Sequence, residues 1–445
     1  MKIKFLELMK CPYCGFDFNI SKIYREANEE ILEGIIACEC NEYPILDGIL
    51  FLKINPLKKY LIKCLKEGQL NRALEHAVFN IGERACEFSA FFNSKGLFGS
   101  ALGKAISIFI ENQSMNDYKN NFSSNKTFTN LMGNNEYNIY LKNRFSTESL
   151  WSIYPFISIL KENSDRILDL SCGMGHSSFI LSTYVRPQQL VCADYHFRQL
   201  YINKRYFAKD ATFICLDANC QLPFKNGIFS SLLMLDAFHY ILERSSLAQE
   251  MDRVISSKGL LLLLHIHNSL NHNVGSGWAL PPCGWLNLFQ NMYVRMFPEW
   301  TVVEDYIYRD KLELTREYSI ADLDSSNALA VIGLKNKSLL NDYNNVWQNY
   351  LKYKTNMIIN PLYAIEHKMD EFVLQRRTAS ESFSNEFPLK ESYLPKECTI
   401  NRDIAKVIDG RAIYAKAPEF TERNIHYLDD LMRKFVILNV PQGYL

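Results

Sequence analysis

One segment restricts the fold of this chain more than any other: an apolar stretch that ends in an acid and enters a tight turn of small residues. It reads Ile167-Leu-Asp-Leu-Ser-Cys-Gly-Met-Gly175, and an amphipathic pattern follows from His176 to Val185. This order predicts a strand, a glycine-rich turn and a helix. Glycine lets the backbone approach a ligand closely, and the first N–H groups of the helix are free to bind it.

The alternation of apolar strands and helical segments continues to residue 268. A second strand closes on Asp194, a third on Asp217, a fourth occupies 227–236, and a fifth within 258–267 follows a helix that begins near Ser246. Near-continuous apolar strands that alternate with helices indicate a parallel sheet covered on both faces. The sequence therefore predicts an α/β fold whose ligands bind at the carboxyl ends of the strands.

The position of the next acid indicates the kind of ligand. Asp194 lies nineteen residues beyond Gly175, where a carboxylate can accept both hydroxyls of a ribose. A nicotinamide dinucleotide is the competing ligand, and its fingerprint needs a third glycine three residues after the second. That position is Ser178 here, which favours a sulfonium cofactor.

The stretch from 165 to 268 resembles the class I S-adenosylmethionine-dependent methyltransferases. The resemblance rests on Asp169-Leu-Ser-Cys-Gly-Met-Gly175, Asp194, Asp217-Ala218, Leu222-Pro223-Phe224, Val254 and Lys258-Gly259. It implies a Rossmann-like sheet whose remainder extends to about residue 335, with the segments that begin at Leu312 and Asn327 as its two closing strands. Ser171 departs from the family, which has glycine there, and a serine costs more than glycine if the turn needs a positive φ.

The same resemblance implies which residues bind the cofactor. Asp169 and the turn with Ser171, Gly173 and Gly175 would bind the methionine end of the cofactor. Asp194 would bind its ribose, and Asp217 and Ala218 would contact the edge of its adenine. Simpler interpretations stay open, because Asp169 can cap a helix and a strand-end acid can be merely solvated.

Candidates for action on the acceptor follow the fourth and fifth strands. Methyl transfer is an in-line displacement, so a base is needed only where the acceptor must lose a proton. His239 and His267 are the candidate bases, and Asp236 is a candidate contact for the cofactor or the acceptor. His265 lies two residues before His267 and so shares its face of the strand, but the last position is the one expected to reach the cleft. Each histidine can instead be a structural hydrogen-bonding group.

Two pairs of cysteines mark the first part of the chain. Cys11 and Cys14 are separated by two residues, and Cys38 and Cys40 by one. Two such knuckles supply the four thiolates of a tetrahedral zinc site. The alternatives are buried thiols, a redox pair, and a fourth ligand from elsewhere in place of Cys40.

The first 55 residues resemble the zinc-ribbon proteins typified by the small activator subunit of tRNA methyltransferases. The resemblance is carried by Leu8-Met-Lys-Cys-Pro-Tyr-Cys14 and by the stretch from Cys38 to Leu52, with a shortened second knuckle as its departure. It implies a structural zinc ion and a module for interaction or substrate presentation, without chemistry of its own.

Composition limits the partners. Lys plus Arg and Asp plus Glu both number 49, so the chain lacks the strong positive field expected of a nucleic-acid or membrane-surface binder, although a local basic groove stays possible. No apolar run reaches the length of a membrane span, and the first residues do not form a signal peptide. The twelve cysteines are then expected to be thiols or metal ligands in the cytoplasm.

These observations predict four regions: a zinc ribbon at 1–57, a helical linker at 58–135, a methyltransferase domain at 136–335 and a mostly helical C-terminal extension at 336–445, which is a candidate substrate or interaction region. The predicted function is S-adenosylmethionine-dependent transfer of a methyl group to a hydroxyl, amine or carboxylate of a small molecule or biosynthetic intermediate. An rRNA base methyltransferase and a non-catalytic zinc-ribbon interaction protein are the alternatives.

Overall fold

The structure is a computed structural model of the 445-residue chain. It describes residues 1–79, 126–132, 136–162, 165–273, 277–347, 356–369, 371–387, 393–401, 407–408, 412–413 and 422–444. The predicted helical linker lies partly outside these residues. Its described parts, 58–79 and 126–131, are helical apart from short turns.

Twenty strands are present in the described ranges. They are β1 Asn19–Ala27, β2 Glu30–Ala37, β3 Glu42–Leu46, β4 Ile49–Phe51, β5 Ile167–Leu170, β6 Leu190–Asp194, β7 Thr212–Cys215, β8 Phe229–Leu235, β9 Ile255–His267, β10 Tyr293–Pro298, β11 Lys311–Glu313, β12 Ala328–Leu334, β13 Asp342–Asn344, β14 Asn356–Ile359, β15 Tyr363–His367, β16 Glu371–Arg376, β17 Glu397–Asn401, β18 Val407–Ile408, β19 Ala412–Ile413 and β20 Ile437–Val440.

Fifteen α-helices accompany them in the same ranges. They are α1 Ile3–Leu6, α2 Pro56–Lys66, α3 Leu70–Phe79, α4 Phe128–Leu131, α5 Glu136–Asn143, α6 Glu148–Trp151, α7 Ile157–Glu162, α8 His176–Tyr184, α9 Phe197–Tyr206, α10 Arg244–Val254, α11 Pro282–Leu286, α12 Glu299–Glu304, α13 Ile320–Ser325, α14 Glu381–Glu386 and α15 Glu422–Arg433. Among the helices of the described residues, none is long and apolar enough to cross a membrane.

The central sheet has eleven strands in the order β1-β2-β3-β4-β7-β6-β5-β8-β9-β12-β10. The five adjacent strands β7, β6, β5, β8 and β9 all run parallel to one another. β12 is antiparallel to both of its neighbours, β9 and β10. The predicted Rossmann-like α/β architecture is therefore confirmed. Chain order reverses between β5 and β8, and ligands of such sheets bind outside the carboxyl ends of the strands at this switch point.

The N-terminal strands continue this sheet. β4 pairs in parallel with β7, with Ile49 opposite Phe213 and Phe51 opposite Cys215, and β3, β2 and β1 follow outward as an antiparallel meander. The side chains of Ile49 and Phe51 are fully buried. The cysteine-bearing segment is thus joined to the α/β region by main-chain hydrogen bonds as well as by apolar packing.

The closing strands differ from the expectation. The segments beginning at Leu312 and Asn327 were expected to close the sheet, and only the second does so, as β12. The other closing strand is β10, whereas β11 forms a separate two-stranded sheet with β13. Leu312 and Leu314 are two residues apart and both are buried, as the alternating pattern of a strand requires. The pattern predicts a strand correctly, but it does not show with which other strand this strand pairs.

The prediction of a mostly helical C-terminal extension is wrong for the described residues. The described residues of this part contain eight strands, two α-helices and one short 3-10 helix at Lys337–Leu339. β14 pairs with β20 across nearly eighty residues of sequence, and β15, β16 and β17 form a three-stranded sheet. The helical pattern at the C-terminus ends at Arg433, because Phe435 adopts a φ of 53° and the β-branched residues after it enter β20.

Candidate functional site

The glycine-rich turn lies between β5 and α8 in a left-handed conformation. Ser171, Gly173 and Gly175 have φ values of 58°, 55° and 103°. Ser171 therefore occupies the kind of position at which serine is less favourable than glycine, and such strain is typically held in place by the surrounding structure at functional sites.

The two glycines of the turn are needed for different reasons. A Cβ atom added at Gly175 would overlap the side chain of Asn203, which is buried and donates to Ser178 Oγ at 2.9 Å. A Cβ atom at Gly173 would meet only Gln199 Oε1, at 3.8 Å. Gly175 thus allows the turn to pack against α9, whereas the space beside Gly173 is open.

Asp194, at the end of β6, holds the turn from the neighbouring strand. Its Oδ2 accepts the backbone N–H of Gly173 at 2.9 Å, and its Oδ1 accepts that of His196 at 2.8 Å. Burial raises the pKa of this carboxyl, and the two backbone hydrogen bonds oppose the increase. A carboxylate has about four acceptor positions, so both oxygens can still accept from ribose hydroxyls.

Asp169 is buried beneath the turn. Its Oδ2 accepts hydrogen bonds from the hydroxyls of Ser177 and Ser178, at 2.9 and 2.6 Å. Its Oδ1 is buried and has no hydrogen-bond partner within the described chain. Burial raises the pKa of Asp169 to about 7, although the two serine hydrogen bonds act in the opposite direction.

Asp217 and Ala218 follow β7, next to the strand that carries Asp194. Asp217 Oδ1 accepts from the backbone and side-chain amides of Asn219, at 2.9 and 3.0 Å. Lys53, which follows β4, places its ammonium 3.4 Å from the ring centre of Tyr195, the residue after Asp194. The N-terminal segment therefore contacts the edge at which the sequence predicts the ribose and adenine.

A cavity of about 350 Å³ connects the turn to the ends of β8 and β9. Its wall includes Ser171, Gly173, Asp236 and His267. Asp169, Asp194, Asp217 and Ala218 do not line this cavity, and Gly175 lies at the start of α8 behind it. The cavity thus brings Ser171 and Gly173, which the sequence predicts to bind the cofactor, together with Asp236 and His267 at the ends of β8 and β9.

Asp236 sits at the centre of a charged cluster. Its Oδ2 accepts from Arg144 Nη1 at 3.0 Å and from the hydroxyl of Tyr140 at 3.1 Å. Burial opposes ionisation of Asp236, but the positive charges of His265 and Arg144 outweigh it and lower the pKa of the carboxyl. Its φ of 54° is a second strained position at this edge of the sheet.

His239 and His267 stack face to face, with ring centres 3.7 Å apart and planes 12° from parallel. His267 lines the cavity, whereas His239 is fully buried behind it. Burial lowers the pKa of His239 to about 3 and that of His267 to about 4, and the charge of a neighbouring histidine adds to each effect. Both imidazoles are therefore neutral near pH 7.

His265 behaves differently because a β-bulge changes its direction. The register between β9 and β12 shifts opposite Ala330, and His265 has a φ of 52°. Its Nδ1 lies 2.6 Å from Glu299 Oε2, and its backbone N–H donates to Glu299 Oε1, also at 2.6 Å. Burial opposes protonation, but Glu299 and Asp236 outweigh it and raise the pKa of His265 to about 9.

Several residues of this cluster were not found from the sequence. Arg144 and Tyr140 lie more than ninety positions before Asp236, and Glu299 lies thirty-four after His265. No motif marks them. Only the position of His265 beside His267 was visible, and the bulge that gives it separate contacts was not.

Residues of the C-terminal extension complete the cavity wall. Ser382 and Phe383 line it, and Phe387 stacks on Tyr140 with ring centres 5.8 Å apart and planes 8° from parallel. Ser380 Oγ donates to Glu136 at 2.8 Å, on the same side. The C-terminal extension, which the sequence analysis considered as a substrate or interaction region, thus covers the site.

The four N-terminal cysteines converge. The Sγ–Sγ distances are 3.7 Å between Cys11 and Cys40, 3.7 Å between Cys14 and Cys38 and 3.4 Å between Cys38 and Cys40. A tetrahedral zinc ion with Zn–S bonds of about 2.3 Å separates its sulfurs by about 3.8 Å. The donor set and its spacing fit zinc, and Cys40 belongs to the cluster despite the shortened knuckle.

A family model described as a methyltransferase domain matches residues 168–263. The match includes the glycine turn, Asp194, Asp217, Asp236 and His239, and it ends just before His265. The matched segment is thus similar to a methyltransferase domain, and the mixed sheet that contains it has the Rossmann-like arrangement of the class I S-adenosylmethionine-dependent methyltransferases.

Individual relatives agree with this class. The chain is 27% identical over 122 residues to a demethylmenaquinone methyltransferase of Thermotoga maritima, a match that covers 27% of this chain and 52% of the relative. The chain therefore spans about half the length of that curated relative.

Solved structures with a similar arrangement are more distant. A chain of the complex that contains the Haloferax volcanii Trm112 methyltransferase activator is 13% identical with a TM-score of 0.33, covering 44% of this chain and 94% of that one. A TehB-like SAM-dependent methyltransferase of Corynebacterium glutamicum is 14% identical with a TM-score of 0.31, covering 42% and 88%. Likenesses at this level do not bear on substrate or partner.

Proposed function

We propose that this protein transfers the methyl group of S-adenosylmethionine to a hydroxyl, amine or carboxylate of a small molecule. The observation that carries the proposal is the single cavity that joins the glycine turn to Asp236 and His267. A methyl donor held by the turn and an acceptor held at the ends of β8 and β9 would meet inside it. Such positioning supplies much of the rate of an in-line displacement.

The residues of the turn fit the cofactor. When bound, S-adenosylmethionine supplies an electrophilic methyl group on a sulfonium. The open space beside Gly173 admits a ligand close to the backbone, and the buried, unpartnered Oδ1 of Asp169 is an acceptor for which an ammonium donor is suited. Asp194 offers its remaining acceptor positions to the ribose, and Asp217 and Ala218 keep the adenine role expected from the sequence.

The neutral imidazole of His267 is suited to accept a proton from a hydroxyl acceptor, because it lines the cavity and its pKa is lowered to about 4. A lowered pKa makes the base weak, so its contribution is in orientation as much as in proton transfer. His239 does not line the cavity, and we assign it the support of the His267 ring.

The covered cavity favours a small acceptor. Ser382, Phe383 and Phe387 lie over or beside the site, and a volume of about 350 Å³ leaves little room beyond the methionine end of the cofactor. The equal numbers of positive and negative residues also favour a small molecule over rRNA, since nucleic-acid binding draws on clustered positive charge.

For the cysteine cluster we propose a structural zinc ion held by Cys11, Cys14, Cys38 and Cys40. The ion would fix the knuckles beside β4, which pairs with β7, and β7 ends next to Asp217. The role of the N-terminal segment is then to stabilise the cofactor edge of the sheet. In this proposal the N-terminal segment stabilises its own chain, whereas the sequence analysis expected it to bind a partner or present a substrate.

Calorimetric titration with S-adenosylhomocysteine tests the proposal. The zinc-loaded protein should bind one equivalent with micromolar affinity, Asp194→Ala should bind at least tenfold more weakly, a loss of about 1.4 kcal/mol, and Asp210→Ala, an exposed acid outside the site, should bind like the unchanged protein. Absence of binding by the folded protein would overturn the assignment as an enzyme. It would favour the alternative of a non-catalytic zinc-ribbon interaction protein.

A further inference from the structure

Three metal-binding side chains meet at the end of the cavity. Asp236, His265 and His267 each offer a donor atom, and these atoms all lie within 4.8 Å of one another. A six-coordinate ion with bonds of about 2.1 Å keeps neighbouring ligands about 3 Å apart and opposite ones about 4 Å apart. Small side-chain rotations therefore bring the three donors into coordination distance.

A carboxylate outside the cluster orients one of the donors. Glu299 is buried and binds both the Nδ1 and the backbone N–H of His265 at 2.6 Å. A histidine that binds a metal through one ring nitrogen commonly donates the other N–H to a carboxylate, which fixes the tautomer and the ring orientation. His265 Nε2 is the nitrogen that this arrangement leaves for a ligand, and a metal ion that binds there displaces the proton that Nε2 carries near pH 7.

The neighbouring His239 indicates that the cluster is incomplete without a ligand. It is fully buried, and neither ring nitrogen has a hydrogen-bond partner within the described residues. Its Nε2 is 3.9 Å from Asp236 Oδ1, too far for a hydrogen bond. Buried polar atoms without partners are uncommon, and they concentrate where a water, an ion or a substrate belongs.

Arg144 is the main argument against a cation, because its guanidinium already contacts Asp236. Both Arg144 and Tyr140 bind Oδ2, however. Within the described residues, the 3.9 Å approach of His239 Nε2 is the shortest polar contact recorded for Oδ1. One carboxylate can serve a guanidinium through one oxygen and a metal ion through the other. Arg144 then fixes the orientation of the ligand carboxylate.

We propose that Asp236, His265 and His267 bind a divalent transition-metal ion whose remaining coordination positions face the cavity. Two imidazoles and one carboxylate suit manganese, iron, cobalt or zinc, and three protein ligands leave positions open for a second molecule. Under this proposal His267 binds the metal ion and therefore does not accept the proton of a hydroxyl acceptor.

The ion also defines an acceptor class, an inference that rests on the proposed function. Two neighbouring open positions suit a molecule with two adjacent oxygen atoms, such as a vicinal diol, an enol beside a carbonyl, or an α-hydroxy acid. One of those oxygens would be the methylated atom.

Cobalt(II) titration of the full-length protein tests the metal site directly. The protein is first loaded with one zinc per chain, which occupies the thiolate cluster. We expect one further equivalent of cobalt with weak visible absorption bands and without the intense near-ultraviolet band of thiolate ligands. Asp236→Asn and His267→Gln should each weaken cobalt binding at least tenfold, and Glu299→Gln by about tenfold to a hundredfold.

His272→Ala serves as the matched control, because His272 is exposed and lies outside the cluster. It should bind cobalt like the unchanged protein, and melting curves establish that each variant is folded. The proposal is overturned if the folded, zinc-loaded protein takes up no cobalt, or if the unchanged protein and His267→Gln bind it equally. Titration of the same samples with S-adenosylhomocysteine separates the two proposals, since cofactor binding without cobalt binding overturns only the metal site.

Discussion

The backbone N–H of Gly173 donates a hydrogen bond to Asp194 Oδ2 across 2.9 Å. This bond joins the turn after β5 to the acid at the end of β6, so the shape of the turn and the position of Asp194 depend on each other. We propose that these two features bind the methionine end and the ribose of the cofactor. A change in either residue should therefore affect cofactor binding through both ends of the site.

Substitutions at Gly173 and Gly175 should have different effects, with Gly173→Ala affecting mainly cofactor binding and Gly175→Ala affecting mainly the stability of the fold. Gly173→Ala places a methyl group in open space beside the cavity, whereas Gly175→Ala forces it against Asn203. Both substitutions add the strain of a positive φ, roughly 1 kcal/mol. We expect Gly173→Ala to melt within a few degrees of the unchanged protein but to bind S-adenosylhomocysteine at least tenfold more weakly.

Gly175→Ala should instead lower the melting temperature by more than Gly173→Ala does, because the backbone or Asn203 must move. Calorimetry and melting curves on the two variants provide the comparison. Equal melting temperatures together with equal affinities would show that the contact with Asn203 and the open space at Gly173 have no consequence.

Much of the α/β region was predictable because its information is local. The order of apolar strands, the glycine turn and the acids at Asp194 and Asp217 follow from periodicity and from turn chemistry. The pairing of β4 with β7, the C-terminal strands and the contacts of Arg144 and Glu299 were not predictable. Each joins segments far apart in sequence, and each depends on geometry, such as the bulge at His265, that a single sequence does not encode locally.

The buried carboxyl of Asp169 should make stability depend on pH. An unfolded chain releases this proton near pH 4, whereas the folded protein releases it at about 7. Between these values the folded state binds more protons than the unfolded state, so stability decreases as pH rises from 4 to 7 and then levels off.

Asp169→Asn removes this dependence because asparagine does not ionise. The free energy of unfolding of the variant, relative to the unchanged protein, should increase by at least about 1 kcal/mol between pH 5 and pH 8. The upper limit in this interval is ~2.7 kcal/mol, because the stability of the unchanged protein falls by about 1.36 kcal/mol per pH unit only up to about pH 7. Urea unfolding at the two pH values measures it. A difference that is the same at both would contradict the assignment of a raised pKa.

Zinc binding should depend on all four cysteines of the N-terminal cluster. Cys14→Ser and Cys40→Ser should each lose the zinc ion that we propose for this cluster and melt at least ~5 °C lower, since the energy of metal binding contributes to folding. Cys283→Ser is the control, because Cys283 is exposed and lies outside the cluster. Metal analysis and melting curves give the readouts.

The outcome at Cys40 decides whether the shortened knuckle is complete. Retention of zinc by Cys40→Ser, with loss in Cys14→Ser, would assign the fourth position to another ligand. Because β4 pairs with β7, loss of zinc should also weaken binding of S-adenosylhomocysteine.

The ion pair between Arg144 and Asp236 should have a measurable coupling energy. Their side chains are only 11% and 16% exposed, and Arg144 Nη1 lies 3.0 Å from Oδ2. Removing Arg144 leaves the carboxylate poorly solvated, and removing both charges avoids that cost. A double-mutant cycle of Arg144→Met and Asp236→Asn should therefore give a coupling of about 1–3 kcal/mol in the free energy of unfolding.

An exposed pair provides the matched comparison. Lys434 and Asp430 are separated by 2.7 Å, but their side chains are 48% and 52% exposed, and such pairs contribute little. The corresponding cycle of Lys434→Met and Asp430→Asn should give less than ~0.5 kcal/mol. If the two cycles give the same coupling, Asp236 is as well solvated as a surface acid. The inference that Asp236 is poorly solvated and is oriented by Arg144 would then be wrong.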